Sequence, residues 1–443
     1  MKQPSIPPSS EIDFSEEAPK IFPLLEMEEV RKFIQQANEK YLYWDELKYK
    51  KMPEGATPEQ MWKLVKQNRN FSRYNIKLGP ALKFDFNFTI TRSISELLHK
   101  FDLNLGGILE GSTTIPGDER ERYLISSLME EAIASSQLEG AATTRKVAKE
   151  MLRQDRRPRN HSEKMILNNY LTVKEIKKYT KEKLTPELIK NIHSVITKGT
   201  LGSSEQEGAF RTTNDVNVVD GVTGEIFYTP PEFHLIDELI ETLCDFANSK
   251  NDQVFIHPII KAIILHFMIG YIHPFVDGNG RTARAIFYWY LISKGYWLLE
   301  FLSISKSILE APTQYARAYL HTEHDENDLT YFFNYNLKVL DRSFKTLDEY
   351  LKRKLQEKRK LYNLQNIENI NERQVDIIIK ILKEKHKFYS IKEIQSIFGV
   401  VYQTARTDLL GLEKMGLVQQ KKLGKKLLFY KSEKFEDILK KVI

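Results

Sequence analysis

Apolar residues recur at three- and four-residue spacing over residues 90–105 and again over 118–138, the period of helices that bury one face. The second run stops at Gly140, a residue suited to a helix end. Helical patterns follow over 160–179 and from Pro186, which Thr185 precedes as a cap, and later over 259–272, 282–295 and 328–351. Residues 21–76 mix aromatic and charged positions in helix-like periods around a turn at 52–57, which predicts a small helical lobe. One stretch breaks the pattern. Residues 216–219, a turn at 220–224 and residues 225–228, closed by Pro230 and Pro231, read as a β-hairpin. A two-stranded hairpin is marginal by itself, so it must lean on the helices or be completed by a strand from a partner.

From residue 371 the order changes to helices at 372–383, 391–398 and 402–415, then strands at 417–420 and 427–430 around a turn at Gly424. That is the order of a winged helix, with 402–415 as recognition helix and 419–429 as wing. The expected fold is mainly α: a helical core with a β-hairpin, plus a C-terminal winged helix-turn-helix domain. The expected divisions are a flexible polar tail at 1–20, the lobe at 21–84, and the main domain at 85–347 with a helix at about 118–140. A charged helical linker at 348–370 and the winged helix at 371–443 complete them.

Hydrophobic residues make up 41% of the 443 and charged residues 28%, the balance of a soluble globular protein. The single cysteine, Cys244, cannot close an intramolecular disulfide, and no Cys/His cluster has zinc spacing, so a reducing, cytoplasmic setting is expected. The first 20 residues lack the apolar stretch of a secretory signal. Residues 255–272 are interrupted by His257, Pro258, Lys261 and His266, so a buried helix and no membrane partner are expected. A net charge of +6 is modest for this length and does not by itself imply nucleic acid. Its placement matters more. Lys421, Lys422, Lys425 and Lys426 gather on the wing, while Gln403, Arg406 and Thr407 are set to reach base edges, so DNA is a candidate partner.

Residues 273–284 read HPFVDGNGRTAR between two expected helices. Gly278, Asn279 and Gly280 let the backbone turn tightly with its amides exposed. A helix starting near Arg281 aims its positive end at the same place, which makes an anion site for a nucleotide phosphate. Arg281 and Arg284 are spaced i,i+3, so both guanidinium groups share a face and can clamp further phosphate oxygens, with Thr282 between them. Asp277 is positioned to hold a magnesium ion bridging those phosphates. His273 can accept a proton from an incoming hydroxyl, a role that suits a near-neutral pKa. A histidine before a proline, or a lone GNG, is usually structural. Eight specified positions together arise by chance on the order of once in ten thousand million sites.

This string resembles the Fic family signature, His-x-Phe-x-Asp/Glu-Gly-Asn-Gly-Arg-x-x-Arg, at every specified position. The resemblance implies a protein adenylyltransferase that moves AMP from ATP onto a Tyr, Ser or Thr hydroxyl of a target protein. It implies His273 as base, Asp277 as Mg2+ ligand, Gly278, Asn279 and Gly280 as anion hole, and Arg281 and Arg284 as clamp. In the related Doc kinases a lysine replaces Gly280 and the nucleotide binds reversed, so glycine favours attack at the α-phosphate. GAFR at 208–211, YTPP at 228–231 and YARAYLHTEHDENDLT at 315–330 extend the resemblance over residues 85–347. It implies that the hairpin is the family's flap, docking the target by strand addition through Val216, Val218, Val219, Phe227 and Tyr228. Tyr315 is implied as a nucleotide contact.

Residues 135–140, SSQLEG, resemble the family's inhibitory pattern, Ser/Thr-x-x-x-Glu-Gly/Asn. Ser135 and Glu139 lie i,i+4 on one helix face, so the serine can steady the glutamate. Paired with Arg284, that carboxylate would remove an arginine needed by the γ-phosphate. Some such members also remove AMP, with the same glutamate orienting water. Self-modification and a homodimer are compatible with the resemblance. A second class of function stays open: a DNA-binding regulator whose Fic domain only senses nucleotide. His273 argues for the enzyme, because sensing needs a clamp and not a base.

Overall fold

The computed structural model describes residues 3–80, 84–106, 117–219, 223–249, 255–365, 370–383, 388–423, 426–435, 437 and 438. The chain forms two compact units, Met1–Leu347 and Asp348–Ile443. Within the first unit, the amino-terminal lobe comprises α1 (Ala18–Ile21), α2 (Glu28–Glu39), α3 (Trp44–Leu47) and α4 (Pro58–Asn70). Thr57 and Gln60 form a capping box at the start of α4, just ahead of and behind the proline that suits a first helical turn. Trp44, Leu47, Met61, Trp62 and Val65 fill the lobe's core.

Residues 3–17 were expected to form part of a flexible tail, and here the structure differs. Tyr43 Oη donates to Ser5 O at 2.8 Å, Trp62 Nε1 donates to Pro8 O at 3.1 Å, and Ile12 enters the core. Buried aromatic donors need acceptors, and this polar segment supplies them with its carbonyls. The strands β1 (Tyr74–Lys77) and β2 (Asp85–Phe88) pair antiparallel with Tyr74 opposite Phe88, a hairpin the sequence pattern did not suggest.

A buried polar network ties the lobe to the helical body. Lys66 Nζ lies 2.8 Å from Asp325 Oδ1, with the side chains only 2% and 3% exposed. Beside them Arg69 donates to Tyr331 Oη at 2.8 Å and to Leu42 O at 2.9 Å, while Tyr41 Oη donates to Asp328 Oδ2 at 2.6 Å.

The body continues through α5 (Arg92–Leu105), α6 (Gly117–Leu138), α7 (Arg145–Arg153), α8 (His161–Glu175) and α9 (Pro186–Thr197). Then come β3 (Val218–Val219), β4 (Ile226–Tyr228), α10 (Ile236–Asn248), α11 (Pro258–Ile272), α12 (Asn279–Ser293), α13 (Ile304–Leu309), α14 (Pro312–His324) and α15 (Thr330–Gln365). Nearly every residue of α11 is buried, as a helix apolar on all faces requires. α12 packs against α11 and α9, and α6 packs against α8 and α13. Glu131, inside α6, is 2% exposed and accepts from Tyr288 Oη, Ser303 Oγ and Ser305 N, each at 3.0 Å. Gly140 then adopts φ +89° and Ala141 N donates to Ser136 O at 3.0 Å, a closure that ends α6 where the sequence predicts.

The second unit holds α16 (Glu372–Lys383), α17 (Ile391–Phe398) and α18 (Tyr402–Lys414). Its sheet has the order β5-β7-β6, from β5 (Tyr389–Ser390), β6 (Val418–Leu423) and β7 (Lys426–Lys431). Ile378, Leu409, Leu412 and Phe429 are among its core residues. The chain is mainly helical, and among the described residues no helix is long and apolar enough to cross a membrane.

Removing one partner of a buried ion pair strands the other charge. Lys66→Ala is therefore expected to lower unfolding stability by about 3–5 kcal/mol, measured by urea denaturation, whereas a loss below about 1 kcal/mol would mean that Asp325 is satisfied without it.

Candidate active site

α11 ends at His273, which takes the left-handed conformation with φ +51° and turns the chain into the loop before α12. His273 Nδ1 lies 3.1 Å from Gly270 O, so Nδ1–H donates and Nε2 is left to take up a proton. Burial holds the His273 pKa below its ordinary value, which keeps the ring neutral at pH 7.

The loop is braced on every side. Asn279 Oδ1 accepts from Phe275 N at 2.9 Å and Asn279 Nδ2 donates to Phe275 O at 2.8 Å. The Asn279 side chain is thus committed to the loop, which leaves its backbone N–H, the group expected in the anion hole, for an anion. Arg211 donates from Nε to His273 O at 3.0 Å and from its backbone N to Pro274 O at 2.8 Å. His193 stacks on Phe275 with ring centroids 3.6 Å apart, and its Nε2 lies 2.8 Å from Asp277 O. Gly208 N donates to His193 Nδ1 at 3.0 Å, which fixes the tautomer with hydrogen on Nε2. Burial pushes the His193 pKa down to about 4.

At the N-terminus of α12, Gly278 has φ +86°, and a Cβ there would sit 2.8 Å from Thr197 Cγ2. Arg281 and Arg284 have side chains 0% and 1% exposed. Arg281 Nη1 donates to Ile196 O at 3.3 Å, but its Nε and Nη2, Arg284 Nη1 and Thr282 Oγ1 are buried without a hydrogen-bond partner among the described residues. Buried cationic donors left without a hydrogen bond are costly, and an incoming anion would satisfy them. Asp277 is 53% exposed, accepts from Gly278 N at 2.6 Å through Oδ1, and has Oδ2 3.5 Å from Arg281 Nη2. No group of three or more His, Cys, Asp or Glu able to hold a metal occurs among the described residues. A lone carboxylate fits magnesium only where phosphates and water supply the other ligands.

Arg284 reaches α6. Its Nη2 donates to Glu139 Oε1 at 2.8 Å and to Ser135 O at 3.0 Å, and its Nε donates to Ser135 Oγ at 2.9 Å. Ser135 therefore steadies the arginine and not, as the spacing suggested, the glutamate. Glu139 lies directly over the cradle: a Cβ at Gly280 would overlap Glu139 Oε1 and come within 3.2 Å of Arg284 Nη1.

A cavity of about 210 Å³ opens beside these groups, lined by Glu139, His273, Gly280 and Arg284 and by the hairpin residues Val218, Phe227 and Tyr228. The hairpin is shorter than expected. Val216 precedes β3, the register slips at Val218 and Val219, and residues 220–222 of the expected turn lie outside the described residues. Val219 and Ile226 are about half exposed, at 49% and 52%. Tyr315, Tyr319 and Glu323 of α14 line the far wall, with Tyr315 Oη 2.8 Å from His266 Nε2. Sequence reasoning missed His193, His266 and Glu323, and read GAFR without a task for Arg211; a histidine within an apolar helix was the one local signal, at His266.

Residues 183–291 match the model of the Fic/DOC family. Over 69 residues the chain is 36% identical to the protein adenylyltransferase Fic of Nematostella vectensis, covering 16% of each. It is 31% identical over 132 residues to the protein adenylyltransferase Fic of Drosophila melanogaster, covering 29% of this chain and 23% of that one. The chain thus spans 16–23% of the length of these curated relatives. A Fic family protein from Desulfovibrio desulfuricans G20 superposes with a TM-score of 0.54 at 16% identity, over 78% of this chain and 97% of that one, which shows a shared fold. The chain carries a Fic/DOC domain.

The depressed pKa of His193 carries a sign. The unfolded chain takes the proton first as pH falls, so the contribution is complete above about pH 6.5 and is lost between there and about pH 4. Between pH 7 and pH 5 this group alone is expected to remove roughly 2 kcal/mol of stability, and His193→Gln should flatten that part of the urea-midpoint profile.

Proposed function

We propose that this chain is a protein adenylyltransferase that transfers AMP from ATP to a hydroxyl side chain of a target protein and is restrained by its own Glu139. The observation that carries the reading is Arg284, a buried cation beside the α12 cradle whose Nη1 has no hydrogen-bond partner among the described residues while its other donors are held by Ser135 and Glu139. The relatives from Nematostella vectensis and Drosophila melanogaster are named protein adenylyltransferases, which supports the same chemistry.

In this reading the triphosphate lies on the α12 N-terminus, with Arg281 and Arg284 on its outer oxygens. His273 Nε2 takes the proton of the target hydroxyl as its oxygen bonds to the α-phosphorus; the bond from that phosphorus to the α–β bridging oxygen breaks, and pyrophosphate leaves. Asp277 would hold a magnesium ion, which supplies charge neutralisation to the phosphates. Arg211 and His193 act by positioning the loop. The hairpin presents the target's hydroxyl segment by strand addition at β3 and β4. Glu139, whose charge acts on His273, also suits the orientation of a water for AMP removal.

Incubation with ATP labelled on the α- or the γ-phosphate tests this. Label should enter protein from the α position only, rise at least tenfold in Glu139→Gly, and disappear when His273→Ala is added. Transfer of γ-label would instead make the chain a kinase, and equal labelling of parent and Glu139→Gly would remove Glu139 from its inhibitory role.

For the second unit we read a winged helix that contacts duplex DNA. Gln403, Arg406 and Thr407 are exposed on α18, and Lys421, Lys422 and Lys426 are exposed on β6 and β7; Lys425 lies outside the described residues. Binding of the full chain to a duplex should weaken steeply with salt, and the logarithmic slope should fall by about 2 in Lys421→Ala/Lys422→Ala. No binding at low salt would refer this unit to a protein partner.

A further inference from the structure

Among the residues lining the cavity, Glu323 is a carboxyl group to which neither the phosphate cradle nor the hairpin gives a task. It sits in the last turn of α14, on the face that also brings Tyr315, Ala316, Tyr319 and Leu320 to the cavity wall. Tyr315, in the first turn, interacts with Arg284. Eight residues further along a helix is about 12 Å, so Glu323 stands far from the arginine end of the same wall. A nucleoside anchored by its phosphates at Arg284 would carry its base toward Glu323. Phe227, Tyr228, Tyr319 and Leu320 offer the apolar and aromatic surface that covers the faces of a base.

We propose that Glu323 reads the Watson–Crick edge of the nucleobase as an uncharged carboxyl, donating to a ring nitrogen and accepting from an exocyclic amine, and thereby selects adenine over guanine. The inference rests on the reading of the cavity as a nucleotide site. Its logic is one of matching donors. A protonated carboxyl offers one O–H donor and one acceptor, whereas a carboxylate only accepts. Adenine presents an amine donor beside a ring acceptor, which the protonated form matches; guanine presents two neighbouring N–H donors, which the carboxylate matches.

The surroundings favour the uncharged form. Burial pushes the Glu323 pKa up to about 8, and no cation is among the groups that shift it. The titratable groups around it are Tyr228 on β4, Tyr271 on α11 and Tyr319 on its own helix. Burial pushes Tyr271 up to about 12 and the other two upward as well, while His273 is held below its ordinary value. Neither these tyrosines nor His273 changes charge between pH 7 and pH 9; guanine N1–H begins to ionise near the upper end, so a change of base preference reports on Glu323 where Glu323→Gln does not show it.

The test is calorimetric titration of the full chain with ATP and with GTP at pH 7 and pH 9, for the parent, Glu323→Gln and Glu323→Ala, with circular dichroism confirming that each variant is folded. The parent should prefer ATP by about tenfold at pH 7, the worth of roughly one buried hydrogen bond, and the preference should shrink at pH 9. Glu323→Gln keeps a neutral donor beside an acceptor and should hold the preference at both pH values, while Glu323→Ala should lose it. ATP bound with an unchanged preference and pH response in Glu323→Ala would overturn the assignment while leaving the nucleotide site standing. A folded parent that binds neither nucleotide would overturn both.

Discussion

One buried guanidinium organises the site. Arg284 is enclosed on α12, and a charge removed from water must be met by hydrogen bonds and an opposite charge. α6 meets it with the Ser135 hydroxyl, the Ser135 carbonyl and the Glu139 carboxylate. The same side chain keeps one N–H unpaired beside the cradle. On the proposed reading, a nucleotide phosphate and Glu139 would compete for one cation, and the strength of restraint would be the difference between two charge-assisted interactions. α6 is not loosely laid across the site, because Glu131 fastens it to α12 and to the residues around the start of α13. Release from the proposed restraint would require Glu139 to turn away or α6 to yield as a unit.

Around that cation the loop is built in advance. Asn279 joins both backbone groups of Phe275, Arg211 holds the carbonyls of His273 and Pro274, and His193 stacks under Phe275 while bonding Asp277 O. Each fixes backbone rather than substrate, so on the proposed reading the amides at the start of α12 would meet a phosphate without reorganisation. Gly278 and Gly280 are there for different reasons. Gly278 needs its positive φ and the close approach of Thr197, whereas Gly280 leaves the room that Glu139 fills.

How much of this could be read from the sequence follows from distance along the chain. The signature loop was legible because its parts are neighbours: His273, Asp277, the two glycines and both arginines fall within 12 consecutive residues. Helices α9, α11 and α17 were legible because their caps and apolar periods are local. The partner of Ser135 was not, since i,i+4 spacing pointed to Glu139 while the actual contact lies 149 residues away. Arg211 and His193 brace a loop that spacing alone does not place beside them. Residues 3–17 looked like a tail because their composition is polar, and only the buried Tyr43 and Trp62 donors explain why they are held. Glu323 showed nothing in the sequence, because its character comes from burial.

On the proposed reading Glu139 withholds Arg284 from the outer phosphate of the nucleotide. The most direct measurement is the ratio of ADP to ATP dissociation constants for the parent and for Glu139→Gly, by calorimetry in magnesium. If Arg284 is withheld, the parent should bind ATP no more tightly than ADP, and freeing the arginine should favour ATP by about tenfold or more. The same ratio in both proteins would contradict the account.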